Sequence, residues 1–205
     1  MSAEPILVAT RSAGKIRELG ALFSRVQRSI VTLEELGIPA TLEEEALENA
    51  DSFEENALAK ARYFASIADR PVVADDSGLV VAALGGRPGV LSKRWSGRTD
   101  LSGEELDSAN NSRLISELSG VSNRRAHYVC VAAYADRATE LIARGIVEGT
   151  ILEERRGSQG FGYDPYFFSD ELGKSFGEAS LMEKELVSHR ARAFLGLLSA
   201  VEARG

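Results

Sequence analysis

The sequence predicts an α/β fold, a mixed β-sheet with flanking helices, and three observations carry that prediction. Short apolar runs alternate with segments of helical periodicity along the first part of the chain. Two strand-like runs, Arg125 to Ala135 and Leu141 to Val147, then follow each other as a hairpin, which a purely parallel sheet does not contain. The 205 residues, 44% hydrophobic and 27% charged, suit one domain over 1–205 with apolar material for a core and length enough for two lobes.

Taken in order, Ile6 to Thr10 reads as a short buried strand after Pro5. It runs into ATRSAGKIRELGALF, where Ile16, Leu19, Leu22 and Phe23 recur at helical spacing. Ser52 opens a second helix: Glu55, three residues on, makes a capping box, and Phe53, Ala57, Ala61 and Phe64 line one face. Val72 to Ala74 is the next strand, and the glycine-rich segment Gly85-Gly86-Arg87-Pro88-Gly89 then interrupts the pattern. A second box, Ser102 to Glu105, opens a helix that stops near Gly120. The hairpin and the loop RRGSQGFGYDPYFF follow. A third box, Ser180 to Glu183, starts a final helix running to about Val201.

Charge narrows the partners. A net charge of −7 and a pI near 5.1 argue against non-specific binding to nucleic acid or to an anionic membrane. A polyanionic ligand would have to be met locally, by a few Lys or Arg residues and a divalent cation. The lone Cys130 lies in an apolar run, has no intrachain disulfide partner, and reads as a small core residue in a reducing compartment. No stretch approaches a membrane span and the N-terminus lacks a basic-then-apolar signal pattern, so a cytoplasmic location is expected.

Five stretches have the residue types for chemistry. ATRSAGK differs from a P-loop, since Ala9 and Ile16 stand where Gly and Ser or Thr are required. What remains is a loop at a helix N-terminus with the hydroxyls of Thr10 and Ser12 and the ammonium of Lys15, either a phosphate cradle or an ordinary turn. In the acidic run from Leu42 to Lys60, Glu55 has a capping role while Glu48 has none, which makes Glu48 a candidate Mg²⁺ ligand from a loop. Lys60 shares a helix face with Asn56. VVADDSGL sets Asp75 and Asp76 side by side after an apolar run, either as a turn with Ser77 and Gly78 or as an acidic pair facing something positive. QGFGYDP flanks Phe161 with two glycines, a tight turn or a platform for a flat base. Ser188-His189-Arg190 holds one of only two histidines, a packed residue or a functional one.

In register, ATRSAGK, SFEENALAKA, VVADDSGL with ALGGRPGVLSKRWSG, GSQGFGYDPYFF and EKELVSHRARA resemble the inosine/xanthosine triphosphate pyrophosphatases, from Ile6 to about Ala193. The resemblance implies an α/β fold with a long twisted mixed β-sheet, flanking helices and two lobes around a central cleft, usually as a homodimer. It implies hydrolysis of deaminated purine nucleoside triphosphates (ITP, dITP, XTP) to the monophosphate and pyrophosphate, with Mg²⁺. It decides the VVADDSGL question in favour of a catalytic acidic pair. Carried over, Thr10, Ser12 and Lys15 would hold the triphosphate, and Glu48 and Asp76 would bind metal. Asp76 would also be the general base, with Ser77 contacting substrate and Asp75 and Lys60 lining the catalytic site. Phe161, Gly162, Tyr163 and Asp164 would form the base pocket with Lys184, His189 and Arg190. This chain departs from the family where asparagine is usual and Ser12 stands, a shorter hydroxyl for an amide.

The implied chemistry has its own physics. A triphosphate repels an attacking water's electrons, and cations offset that charge on the way to a pyrophosphate leaving group. A carboxylate at the metal can orient and deprotonate the water. The rivals are a pyrophosphatase for other modified nucleotides and a nucleotide sensor that binds without hydrolysing. The sensor would have no use for the set Glu48, Asp75, Asp76, Lys15 and Lys60.

Overall fold

The computed structural model describes residues 4–204. Its elements in chain order are β1 (Ile6–Val8), α1 (Ala13–Arg25), β2 (Ile30–Thr32), α2 (Leu42–Ala46), α3 (Phe53–Ala68), β3 (Val72–Val81), α4 (Gly103–Glu117), β4 (Arg125–Ala135), β5 (Glu140–Ile151), β6 (Phe167–Ser169), β7 (Lys174–Ser175), α5 (Leu181–Val187) and α6 (His189–Glu202). The strands make one seven-stranded sheet among the described residues, in the order β2-β1-β3-β4-β5-β6-β7. β1 runs parallel to β2 and to β3, while β6 is antiparallel to β5 and to β7, so the sheet is mixed as predicted. β4 and β5 are neighbours joined by a tight turn in which the Asp136 N–H donates to the Thr139 carbonyl. Among the described residues, no helix is long and apolar enough to cross a membrane.

The chain divides into two compact units. The first comprises the chain up to Asp76, Cys130–Gly145 and the chain from Arg190; the second comprises Ser77–Val129 and Ile146–His189. In the first unit, Leu19, Leu22 and Phe23 of α1 and Phe194 and Leu197 of α6 close on Val8, Val73, Cys130 and Ala132. Phe23 and Phe194 meet edge to face at 6.0 Å between ring centroids. In the second, Leu79, Trp95, Leu114, Tyr128, Tyr163, Phe167 and Phe176 form a separate apolar cluster. The parallel register Leu7↔Val72 and Val8↔Val73 means that the chain leaving β1 and the residues after Val73 emerge at the same end of the ladder. That register brings the loop of Thr10 to Lys15 beside Asp75 and Asp76.

Four expectations change. The strand expected over Val72 to Ala74 continues to Val81, carrying Asp75, Asp76, Ser77 and Gly78 as strand residues rather than as a turn at a strand's end. At Ser52 the capping exchange is only half a box: the Glu55 N–H donates to the Ser52 hydroxyl, but the Glu55 carboxylate accepts from that hydroxyl rather than from the Ser52 N–H. Ser102 caps α4 without a side-chain hydrogen bond; its carbonyl accepts from the Leu106 N–H. The box at Ser180 forms in full, but the helix it starts stops at Ser188, whose extended backbone (φ −66°, ψ 150°) separates α5 from α6.

Candidate active site

In the first unit, Asp75 and Asp76 solve the problem of adjacent carboxylates by strand geometry. Successive side chains of a strand point to opposite faces, so each carboxylate meets its own set of partners. Asp75, 1% exposed, faces α1 and α6. Its Oδ2 lies 3.0 Å from Lys15 Nζ and 3.3 Å from Arg190 Nε, and it accepts from Cys130 Sγ at 3.6 Å. Asp76 faces α3, where Asn56 Nδ2 donates to its Oδ2 at 2.9 Å. Asn56 is itself oriented by the Ala50 N–H, which donates to its Oδ1 at 2.9 Å. Lys60, one helical turn on, reaches the Asp75 carbonyl and pairs with Glu48 Oε1 at 2.8 Å. Lys15 Nζ also donates to that carbonyl, at 3.4 Å.

The electrostatics separate the two acids. Burial alone would raise the Asp75 pKa, but Lys15, Arg190 and Lys60 outweigh it and hold the carboxyl well below the ordinary range. Asp76 goes the other way: burial raises it, Glu48 adds to the rise, and Lys60, Lys15 and Asn56 offset the shift only in part. Burial disfavours the charge on Lys60, yet Glu48, Asp76 and Asp75 keep its ammonium protonated more firmly than usual. Arg190 is buried on Asp75 and on Glu18, whose carboxylate its Nη1 contacts. The result is an Asp75 whose neighbouring cations favour its charged form and a more proton-receptive Asp76 beside it. Glu48 and Asp76 together offer the hard carboxylate oxygens that Mg²⁺ prefers, and both are coupled to Lys60. Asp75 Oδ1 makes no hydrogen bond among the described residues, a further buried oxygen at the same place.

Thr10 and Ser12 prepare the adjoining helix start. The Ser12 N–H donates to Thr10 Oγ1 at 3.2 Å, and Ser12 is the N-cap of α1, its Oγ accepting from the Lys15 N–H at 3.4 Å. Serine and asparagine are both strong N-caps, which accounts for the departure at this position. The cap occupies the acceptor of Ser12, so what it can offer an anion is its hydroxyl proton.

The second unit holds the aromatic loop. Asp164, 2% exposed, accepts from Lys184 Nζ at 2.5 Å and from the Phe161 N–H at 2.8 Å, both at Oδ2. The Lys184 ammonium lies 5.1 Å from the Phe161 ring centroid and 5.2 Å from that of Phe176. His189 is buried and stacks on Tyr128, with centroids 4.6 Å apart and planes 8° from parallel. Ser77, half-buried, follows Asp76 along β3.

Two of the residues expected in the base pocket have partners elsewhere. Tyr163 is packed in the apolar cluster and its hydroxyl donates to the Ser92 carbonyl at 2.7 Å, so its ring is a core element rather than a stacking face. Arg190, expected beside His189 in the base pocket, has its guanidinium buried on Glu18 and Asp75. Sequence reasoning also passed over Glu18, Asn56 as a ligand of Asp76, and Tyr128. The available signal for Glu18 was a carboxylate adjoining the buried Leu19 and Leu22 stripe of α1.

The Ham1 family model matches residues 6–200. A dITP/XTP pyrophosphatase of Ralstonia nicotianae is 44% identical over 196 residues, 94% of each chain. One of Syntrophobacter fumaroxidans is 45% identical over 194 residues, 94% of this chain and 79% of that one. Among solved structures, the Ham1 protein of Staphylococcus aureus superposes with a TM-score of 0.82 at 32% identity, covering 98% of this chain and 100% of its own. The nucleoside-triphosphatase, dITP/XTP pyrophosphatase, of Mycobacterium abscessus gives 0.70 at 40% identity over 95% of this chain and 99% of that one. By its sequence over almost the whole length, and by its fold, this chain belongs to the Ham1 family.

Proposed function

We propose that this chain hydrolyses deaminated purine nucleoside triphosphates, dITP, XTP and ITP, to the monophosphate and pyrophosphate in a Mg²⁺-dependent reaction. The carrying observation is the cluster built on β3, in which Asp75 holds Lys15 and Arg190 while Asn56 orients a proton-receptive Asp76. The dITP/XTP pyrophosphatase names of relatives support dITP and XTP among these substrates. Lys15 and Lys60 offset phosphate charge as it shifts toward the leaving pyrophosphate. Asp76, oriented by the Asn56 amide, takes the proton of the attacking water. Glu48 and Asp76 would hold Mg²⁺, which when bound neutralises triphosphate charge. For the base, Phe161 supplies a ring face and His189 a donor to the 6-oxo group, which adenine lacks. The same reading includes action as a homodimer in the cytoplasm, where the buried thiol of Cys130 would stay reduced.

The test is pyrophosphate release from dITP, XTP, ITP, ATP and GTP, each with and without Mg²⁺. Release confined to the deaminated nucleotides and to Mg²⁺ is expected. A flat panel, or binding without release, would sink the enzyme reading. Within it, His189→Ala should lower the ITP-to-ATP ratio of kcat/KM by about tenfold or more, since a buried donor without its acceptor costs about 1–3 kcal/mol. An unchanged ratio would return His189 to a packing role against Tyr128.

A further inference from the structure

The loop that carries Phe161 is anchored by two side chains of α4. Gly162 has a φ of +62°, and both of its backbone polar groups are engaged. Its N–H donates to Asp107 Oδ2 at 2.7 Å, and its carbonyl accepts from Asn111 Nδ2 at 2.9 Å. Asp107 and Asn111 stand four residues apart, so they share one face of α4, and Asn111 Nδ2 also donates to the Asp107 carbonyl at 2.8 Å. From the other side, Asp164 closes the loop on itself: its N–H donates to the Phe161 carbonyl at 3.3 Å and its Oδ2 accepts from the Phe161 N–H at 2.8 Å. The segment around Phe161 is therefore held at the N–H and C=O of Phe161 and at the N–H and C=O of Gly162.

That degree of restraint has a physical purpose. Gly160 and Gly162 flank Phe161, and a glycine backbone is the most costly to order. Left to itself, such a segment would spread the Phe161 ring over many orientations. Fixing the peptide groups on either side fixes the Cα–Cβ direction and so narrows the orientations open to the ring, which lies 5.1 Å from Lys184 Nζ. Burial pushes the Asp107 carboxyl up, only partly offset by the Gly162 N–H, and Glu104 adds to the rise. The carboxylate thus bears a desolvation cost at the point where it meets the loop.

We propose that Asp107 and Asn111 are positioning residues for base recognition: from α4 they hold the Phe161-Gly162 backbone so that Phe161 presents its ring to the purine. They set affinity for the base without touching substrate. This rests on the purine nucleotide reading above.

The experiment compares Asp107→Ala, Asn111→Ala, Asp107→Asn and Asn111→Asp with the wild type. It reads KM and kcat for dITP, equilibrium binding of inosine monophosphate, and hydrogen exchange at the Gly162 amide. Each alanine variant should raise KM and weaken monophosphate binding by about 3- to 10-fold, the worth of one hydrogen bond. kcat should stay within about twofold, as expected when binding common to ground and transition state is lost. Asp107→Asn keeps an acceptor for the Gly162 N–H and should stay close to wild type, with slow exchange at that amide. Asn111→Asp keeps the size but removes the donor, and carries the test if the alanine variants do not fold. Faster Gly162 exchange with unchanged KM and monophosphate binding overturns the proposal, as does a fall in kcat with KM unchanged. If wild type hydrolyses dITP normally and the variants match it, only this proposal falls. If wild type neither hydrolyses dITP nor binds the monophosphate, the functional reading falls and takes this one with it.

Discussion

Asp75 and Asp76 are neighbours in sequence with opposite assignments, and the difference lies in what each side chain meets. Asp75 is surrounded by Lys15, Arg190 and the Cys130 thiol, so it is a fixed anion that organises cations. Asp76 accepts from the Asn56 amide, and burial pushes its carboxyl up. Asp76→Asn should therefore keep the fold and lose about 10²–10⁴-fold in kcat, the contribution of a general base. A folded, Mg²⁺-saturated variant that keeps more than about a tenth of wild-type turnover would remove Asp76 from that role. Arg190 answers a different question. Its guanidinium is 3% exposed between Glu18 and Asp75, so Arg190→Met leaves two buried carboxylates short of a counter-charge. Breaking such a pair from one side costs about 3–5 kcal/mol, whereas removing both charges is often neutral. Urea unfolding of Arg190→Met, Glu18→Gln and the double variant should then show the double variant regaining part of the loss. Simple additivity of the two single losses would show that Glu18 and Arg190 do not act as a pair.

At the scale of elements, the loop between β5 and β6 works because of where its glycines sit. A Cβ built on Gly160, whose φ is +76°, would lie 2.0 Å from Asp164 Oδ2 and 2.7 Å from its Cγ. The carboxylate cannot retreat freely, since Lys184 and the Phe161 N–H hold it in a buried position. Gly160→Ala should destabilise by about 1–3 kcal/mol through overpacking, and should also raise KM for dITP because the Asp164 anchor shifts. Unchanged urea midpoint and KM would mean that the loop moves without cost. The aromatic character of this loop was legible in QGFGYDP, but the split of roles within it was not: nothing local tells that Tyr163 faces Ser92 and the core while Phe161 lies near Lys184. The β-branched and aromatic content located the β4–β5 hairpin, whose first strand is buried on both faces, while periodicity located α1 and α3 because each buries one face. It cut β3 short, because Asp, Ser and Gly carry a turn signal that the partners of Asp75 and Asp76 override. It joined α5 to α6, because Ser188 is neither Gly nor Pro. The motifs that carry the family resemblance contain Lys15, Lys60 and the acid pair, while Glu48 stood out in the acidic run as a carboxylate with no capping role. Glu18, Asp107 and Asn111 stayed hidden for a common reason: their partners lie 172, 55 and 51 positions away, and such pairings are set by the sheet order rather than by any local pattern.

For the whole molecule, the consequential feature is that β3, β4 and β5 each contribute residues to both compact units. The change of unit falls inside the strand every time, after Asp76, Val129 and Gly145. The two apolar clusters are distinct, one around Phe23 and Phe194 and the other around Tyr128 and Phe167, and β3, β4 and β5 are each one continuous strand through the change of unit. Losing one core would fray strands whose remaining residues pair within the other, so the two should unfold in one cooperative transition. The chain carries its own reporter for this: Trp95 is its single tryptophan and belongs to the second cluster. Phe194→Ala removes a fully buried ring from the first cluster and should cost about 3–5 kcal/mol. The midpoint of urea unfolding followed by Trp95 fluorescence should fall by as much as the midpoint followed by far-ultraviolet circular dichroism. The converse substitution, Phe167→Ala in the second cluster, should likewise move both probes together. If Phe194→Ala left the Trp95 midpoint in place while the dichroism transition split in two, the shared strands would not couple the units. Each core would then have to be treated as stable on its own.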